Sequence, residues 1–186
     1  MRVAADLRAA AILRRIKQIN APIGVEVGVF RGDLSQRLLR EHESLTLYMV
    51  DPWTTHENNE VYKNSGDFHA TLPQEAQDFL YEETKRVVAP FLDRAVVLRE
   101  FSVCAALKFE NNSIDFAFID AQHTYEGVSE DVRIWKPKIK SGGWLCGHDF
   151  GRDNFPGVTK AVVEFADENN LKGELDQNYT WFIRMP

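Results

Sequence analysis

Residues 23–33 read Ile-Gly-Val-Glu-Val-Gly-Val-Phe-Arg-Gly-Asp. Ile23 to Val27 form a short, mostly apolar run that stops at Gly28, the pattern of a buried strand entering a tight turn. Beyond Gly32, the spacing of Leu34, Leu38 and Leu39 is helical, and Asp33 is a suitable N-cap. Strand, glycine turn and helix together make the repeating unit of a parallel α/β sheet.

The alternation continues outward in both directions. Upstream, the stripe of Leu7, Ala10, Ala11, Leu13 and Ile16 predicts a helix from Val3 to Ile19, inside residues 1–21, that ends at Asn20-Ala21-Pro22. Downstream, strands are predicted at Leu45 to Val50, Ala95 to Arg99, Ile114 to Ile119 and Trp144 to Cys146. Helices are expected at Gln74 to Val88, Ser102 to Phe109, Tyr125 to Ile139 and Val158 to Glu168. Ser141-Gly142-Gly143 reads as a tight turn into the fifth of these strands. Lys172 to Asp176 and Thr180 to Arg184 are joined by too few residues for a crossover, so they form an antiparallel hairpin. The expectation is an α/β fold, a Rossmann-like three-layer sandwich with a mostly parallel seven-stranded sheet and an antiparallel C-terminal edge hairpin. No linker divides residues 1–186, so one domain is expected.

The composition narrows the classes of function. With 44% hydrophobic and 27% charged residues, the chain is neither disordered nor fibrous. Its 22 Lys and Arg against 28 Asp and Glu leave a net charge of -6, with no general attraction to phosphate backbones or anionic membranes. Neither nucleic acid nor a membrane is the expected partner; a small molecule is. Cys104 and Cys146 both lie in apolar stretches without metal-ligand spacing, and read as buried thiols of a reducing, cytoplasmic compartment. No signal-peptide pattern or membrane-length apolar run is present. Residues 53–73 are polar and irregular, with Asn58, Asn59, Asn64, Ser65 and Gly66. A connection of that length is usually functional, and its Trp53, His56, Tyr62 and His69 suit an acceptor-binding loop.

In sheets of this kind ligands bind beyond the carboxyl ends of the strands. The residues there are Gly28 to Gly32, Asp51-Pro52-Trp53, Ser102, Asp120 to His123, and Gly147-His148-Asp149. A dinucleotide fingerprint, G-x-G-x-x-G, fails because Glu26 and Arg31 occupy its first and third glycine positions. A carboxylate at Glu26 repels a pyrophosphate and suits an ammonium group instead. Asp51, ending the second strand, is placed to accept hydrogen bonds from ribose hydroxyls, or simply opens an Asp-Pro turn.

The segments E-V-G-V-F-R-G (26–32), V-D-P-W (50–53), I-D-F-A-F-I-D-A-Q-H-T-Y-E-G-V-S-E-D (114–131) and S-G-G-W-L-C-G-H-D (141–149) resemble class I S-adenosylmethionine-dependent methyltransferases. The similarity spans roughly residues 20–150 and is most specific to the small-molecule branch between Asp115 and Asp149. It implies an enzyme that moves a methyl group from S-adenosylmethionine to a small molecule, most readily at a hydroxyl oxygen. By this resemblance, Glu26 and Gly28 line the methionine end of the cofactor, and Gly32 shapes the following turn. Asp51 takes the ribose, Pro52 or Trp53 lies against the adenine, and Ser102 approaches it. Asp120 sits beneath the sulfonium.

Metal-dependent relatives hold a divalent cation at the positions of Asp120 and of an acidic pair after the fifth strand. Here that pair is His148-Asp149, followed by Phe150. The implied ligand set is Asp120, His148 and Asp149, holding Mg or Mn, with imidazole favouring Mn, Fe or Zn over Mg. In the other reading, His123 or His148 is the general base, with Asp120 beside it. His123 could also merely pin its own loop. Tyr125 and Asp131 are read as capping and packing residues. The acceptor pocket must come from loops, the first helix or a partner subunit of a homo-oligomer. A non-catalytic cofactor-binding accessory protein and a nicotinamide oxidoreductase are the alternatives, the latter disfavoured by Glu26.

Overall fold

The computed structural model describes residues 2–57 and 59–186, so Met1 and Asn58, the latter named above in the acceptor loop, lie outside the described residues. The strands are β1 (Ile23–Val27), β2 (Thr46–Val50), β3 (Ala95–Leu98), β4 (Ile114–Ile119), β5 (Ile139–Gly147), β6 (Gly173–Asp176) and β7 (Thr180–Arg184). They form one seven-stranded sheet in the order β3-β2-β1-β4-β5-β7-β6. β1 to β5 run parallel, whereas β7 is antiparallel to both β5 and β6. The expected α/β sandwich with its edge hairpin is therefore the fold of this chain.

The helices are α1 (Arg2–Ile16), α2 (Asp33–Glu41), α3 (Glu60–Lys63), α4 (Gln74–Val88), α5 (Ser102–Ala106), α6 (Tyr125–Trp135) and α7 (Pro156–Glu168). One buried cluster joins α5, α6 and α7 to one face of the sheet. A second joins α1, α2 and α4 to the other face. Every residue of β4 is buried, which is why its sequence is an apolar run with only Asp115 interrupting it. That carboxylate is used: Asp115 Oδ2 accepts from Ile23 N at 2.8 Å and from Lys140 Nζ at 2.9 Å, tying together the starts of β1, β4 and β5.

Several boundaries differ from those read in the sequence. α1 ends at Ile16, and α6 ends at Trp135, where a 3₁₀ turn over Lys136–Lys138 accommodates Pro137. α5 ends at Ala106. Ser141-Gly142-Gly143 is not a turn before β5 but a bulge within it, since the pairing with β4 jumps from Ile114↔Ile139 to Phe116↔Trp144. Residues 53–73 carry α3 and a 3₁₀ turn over Phe68–Thr71, each capped by a side chain, Asn59 on Tyr62 N and Asp67 on His69 N. Cys146 is buried, but Cys104 is exposed on α5, because that short helix turns only its alanines to the core. Among the described residues no helix is long and apolar enough to cross a membrane.

Candidate active site

Strand order reverses between β1 and β4, so the loops leaving their carboxyl ends part and open a cleft. Gly28 makes this closeness possible. Its φ is +86°, and a Cβ there would stand 2.2 Å from the Asp120 carbonyl oxygen. Asp51 holds the turn in place. Its Oδ2 accepts from Val29 N at 2.9 Å and Phe30 N at 3.2 Å, and its Oδ1 from Trp53 N at 2.9 Å. Burial pushes the Asp51 carboxyl above its ordinary value against the pull of those three amides.

The cleft has two chambers that meet over Gly28, Phe30, His69 and Asp120. The first has a volume of about 280 Å³ and is lined by Gly28, Asp51, Pro52, Ser102, Asp120 and Asp131, with His56, Tyr62 and His69 contributed by residues 53–73. Asp131, read above as packing, thus faces the cavity, and burial pushes its carboxyl up to about 7. Ser102 Oγ accepts from Trp135 Nε1 at 2.9 Å. Trp53 is not at the cavity. Its ring is buried among the residues of the α1–α2–α4 side, and its Nε1 donates to the Phe30 carbonyl at 2.8 Å. Gly32 lies outside both chambers, where an added Cβ would meet Val87 of α4 at 2.9 Å.

The second chamber, about 510 Å³, is lined by Arg8, Glu26, Asp67, Asp120, His123, His148 and Asp149, among others. Glu26 is buried and accepts from the Ser35 hydroxyl. Burial outweighs that bond and the nearby Arg8 charge, and pushes the Glu26 carboxyl up to about 8. Asp120 is ion-paired to Arg8. Its burial would raise its pKa, but Arg8 and the imidazoles of His123 and His148 hold it far below the carboxylate range.

His123 is the centre of the cluster. Its Nδ1 lies 2.6 Å from Asp67 Oδ2, and its Nε2 lies 2.9 Å from Asp149 Oδ2 and 3.5 Å from Asp120 Oδ1. Its ring stacks on Phe155 with centroids 4.4 Å apart. Burial works against its protonated form, yet the three carboxylates push it up to about 11. His148 Nδ1 lies 3.1 Å from Asp149 Oδ2 and 3.5 Å from Asp120 Oδ1. Against burial, these carboxylates push His148 up to about 9.

Of the three groups expected to hold a metal, Asp120 and Asp149 come together as read. The imidazole that completes the tightest set is that of His123, with ligand atoms of all three within 4.8 Å of one another. The donors are two carboxylates and an imidazole, with His148 beside them, a set that fits a borderline divalent ion better than Mg.

Two participants carry no signal in the sequence. Arg8 belongs to a helix legible only through its apolar stripe, and Asp67 lies in the irregular segment and reaches His123 through tertiary packing. Residues 53–73 stand out in the sequence, but nothing within them marks Asp67.

A family of methyltransferase domains matches residues 25–150, which contain most of these groups. An uncharacterized protein of Acanthamoeba polyphaga mimivirus is 24% identical over 148 residues, a match covering 75% of this chain and 59% of that protein. The chain therefore spans less than two thirds of that relative's length. Among solved structures, the O-methyltransferase NovP superposes with a TM-score of 0.70 at 17% identity, covering 96% of this chain and 80% of its own. Calicheamicin methyltransferase gives 0.70 at 15%, covering 96% and 77%. Spermidine synthase from Thermotoga maritima gives 0.59 at 13%, covering 95% and 58%. At such identities these likenesses speak for the fold alone. Because the family match covers the sheet from β1 to the end of β5 and the cleft at its strand ends, the chain belongs to the methyltransferase-domain family.

Proposed function

We propose that the protein transfers the methyl group of S-adenosylmethionine to a hydroxyl oxygen of a small molecule. The observation that carries this reading is a pair of adjoining chambers at the strand ends. A chamber of about 280 Å³ beside Asp51 shares Gly28, Phe30, His69 and Asp120 with one rich in carboxylates and imidazoles. In the proposed complex, Pro52, Ser102 and Asp131 flank the adenine and Asp51 faces the ribose through the one lone pair of Oδ1 that its three amide donors leave free. Glu26 and Gly28 border the methionine end, and Gly32 and Trp53 support the turn from behind.

Methyl transfer is an in-line displacement. The acceptor oxygen attacks the methyl carbon, the carbon–sulfur bond breaks, and the sulfonium becomes a neutral thioether. The protein's task is alignment and proton removal. Asp120 lies at the junction of the chambers, where its negative charge stabilises a sulfonium. The carboxylates around His123 and His148 keep both protonated at neutral pH, so either imidazole takes the acceptor's proton only after giving up its own, at alkaline pH or to a bound cation. A divalent cation would be held by Asp120, His123 and Asp149 with His148 alongside, and when bound it lowers the pKa of the acceptor hydroxyl.

Calorimetric titration with S-adenosylhomocysteine, with and without Mg or Mn, and separately with NAD, tests the reading. Micromolar binding of S-adenosylhomocysteine that Asp51→Ala removes is the expected result. Binding of NAD and not of S-adenosylhomocysteine by the folded protein overturns it.

A further inference from the structure

Resting on that cofactor reading, we propose that Arg8 of the first helix receives the cofactor's carboxylate while Glu26 receives its ammonium group. The two side chains would then act as a clamp for an α-amino acid.

An amino-acid head group carries its two charges on one carbon, so the groups that hold it must lie side by side. Arg8 and Glu26 line the same chamber, together with Gly28 and Asp120. Arg8 is also the cation whose field acts on the Glu26 carboxyl. The other two arginines of the chamber sit nearer its rim, and each is engaged by a sequence neighbour. Arg31 pairs with Asp33 at 2.7 Å and Arg152 with Asp149 at 2.9 Å, with side chains 35% and 38% exposed. Arg8 is only 19% exposed and pairs across the fold with Asp120. Its Nε is buried and has no hydrogen-bond partner among the described residues, so the guanidinium keeps a donor for an incoming acceptor.

The helix that carries Arg8 is fixed at its other end. Arg15 donates to Asp176 at 2.8 Å and to Glu174 at 2.7 Å, and its guanidinium lies 3.4 Å from the centre of the Phe182 ring. Entry of the cofactor exchanges one set of charge pairs for another. The sulfonium comes to face Asp120, and Arg8 turns its fork to the carboxylate, so that no buried charge is left unpaired.

Two ligands isolate the carboxylate. S-adenosylhomocysteine has the whole amino-acid head, and S-adenosyl-3-thiopropylamine keeps the amine and lacks the carboxylate. Calorimetry on the wild type is expected to favour the first by about 30-fold or more, the scale of losing one buried, charge-paired contact. Arg8→Gln is expected to abolish that preference by weakening S-adenosylhomocysteine alone, and Arg8→Lys to keep part of it, since a point charge lacks the bidentate fork. Thermal unfolding of each variant checks that it is folded, and Arg8→Lys carries the test if Arg8→Gln is not.

An Arg8→Gln protein that retains the wild-type ratio of the two affinities overturns the clamp, as does a wild type that binds both ligands equally. A wild type that binds neither ligand defeats the cofactor reading itself.

Discussion

Asp51 and Asp131 are two buried carboxyl groups facing one cavity, and their surroundings treat them differently. Asp51 is met by three backbone amides, whereas Asp131 has the Ser102 hydroxyl and the repulsion of Glu130. Burial therefore lifts Asp131 from its ordinary 3.8 to about 7. The unfolded chain releases this proton near pH 4 while the folded chain keeps it. The stabilising contribution is thus complete below about pH 4 and is lost as pH rises to 7. Asp131→Asn cannot ionise. Urea unfolding at pH 5 and pH 7.5 is expected to show the wild type losing about 2 kcal/mol more than the variant across that interval. Equal losses would mean that Asp131 is already ionised in the fold.

Between elements, the sheet shows which parts of the sequence spoke plainly. β1 and β4 were legible because strands buried on both faces leave near-continuous apolar runs. The start of β5 was not, because Lys140-Ser141-Gly142-Gly143 has the composition of a turn. Pairing beyond the strand's neighbours decides otherwise: Gly142 N donates to the Met185 carbonyl at 3.0 Å, and Met185 N to that of Gly143 at 2.9 Å. The same division holds at the site. Asp120, His148 and Asp149 were legible because they follow strands directly, while Arg8 and Asp67 arrive from a helix and a loop that only tertiary packing brings there.

A contact between β1 and β4 gives a test at this scale. A Cβ on Gly24 would fall 2.1 Å from the fully buried ring of Phe116, which has nowhere to retreat. Gly24→Ala is expected to cost about 1–3 kcal/mol in denaturant unfolding. In a double-mutant cycle, Gly24→Ala should cost less when combined with Phe116→Leu than alone. Strict additivity would place the clash elsewhere.

For the molecule as a whole, the larger chamber departs from the net charge: the chain carries -6, yet that chamber gathers three arginines and three histidines among five acids. A ligand joining both chambers binds only the folded state. S-adenosylhomocysteine at one hundred times its Kd adds about 2.7 kcal/mol to stability. For a chain of this size that should raise the Tm by roughly 5–10 °C in a thermal melt. An equal rise with NAD would contradict the proposed cofactor.

Phe30 stands at the meeting of the chambers with a φ of 60°, and its ring lies edge-on to His69 at 4.6 Å. A left-handed backbone at a bulky residue costs on the order of 1 kcal/mol, which an asparagine would largely recover. That exchange would also remove the aromatic wall shared by both chambers. Asparagine there would likewise give up the packing of Phe30 on the α1–α2–α4 core, so the strained turn and the wall of both chambers stand or fall together.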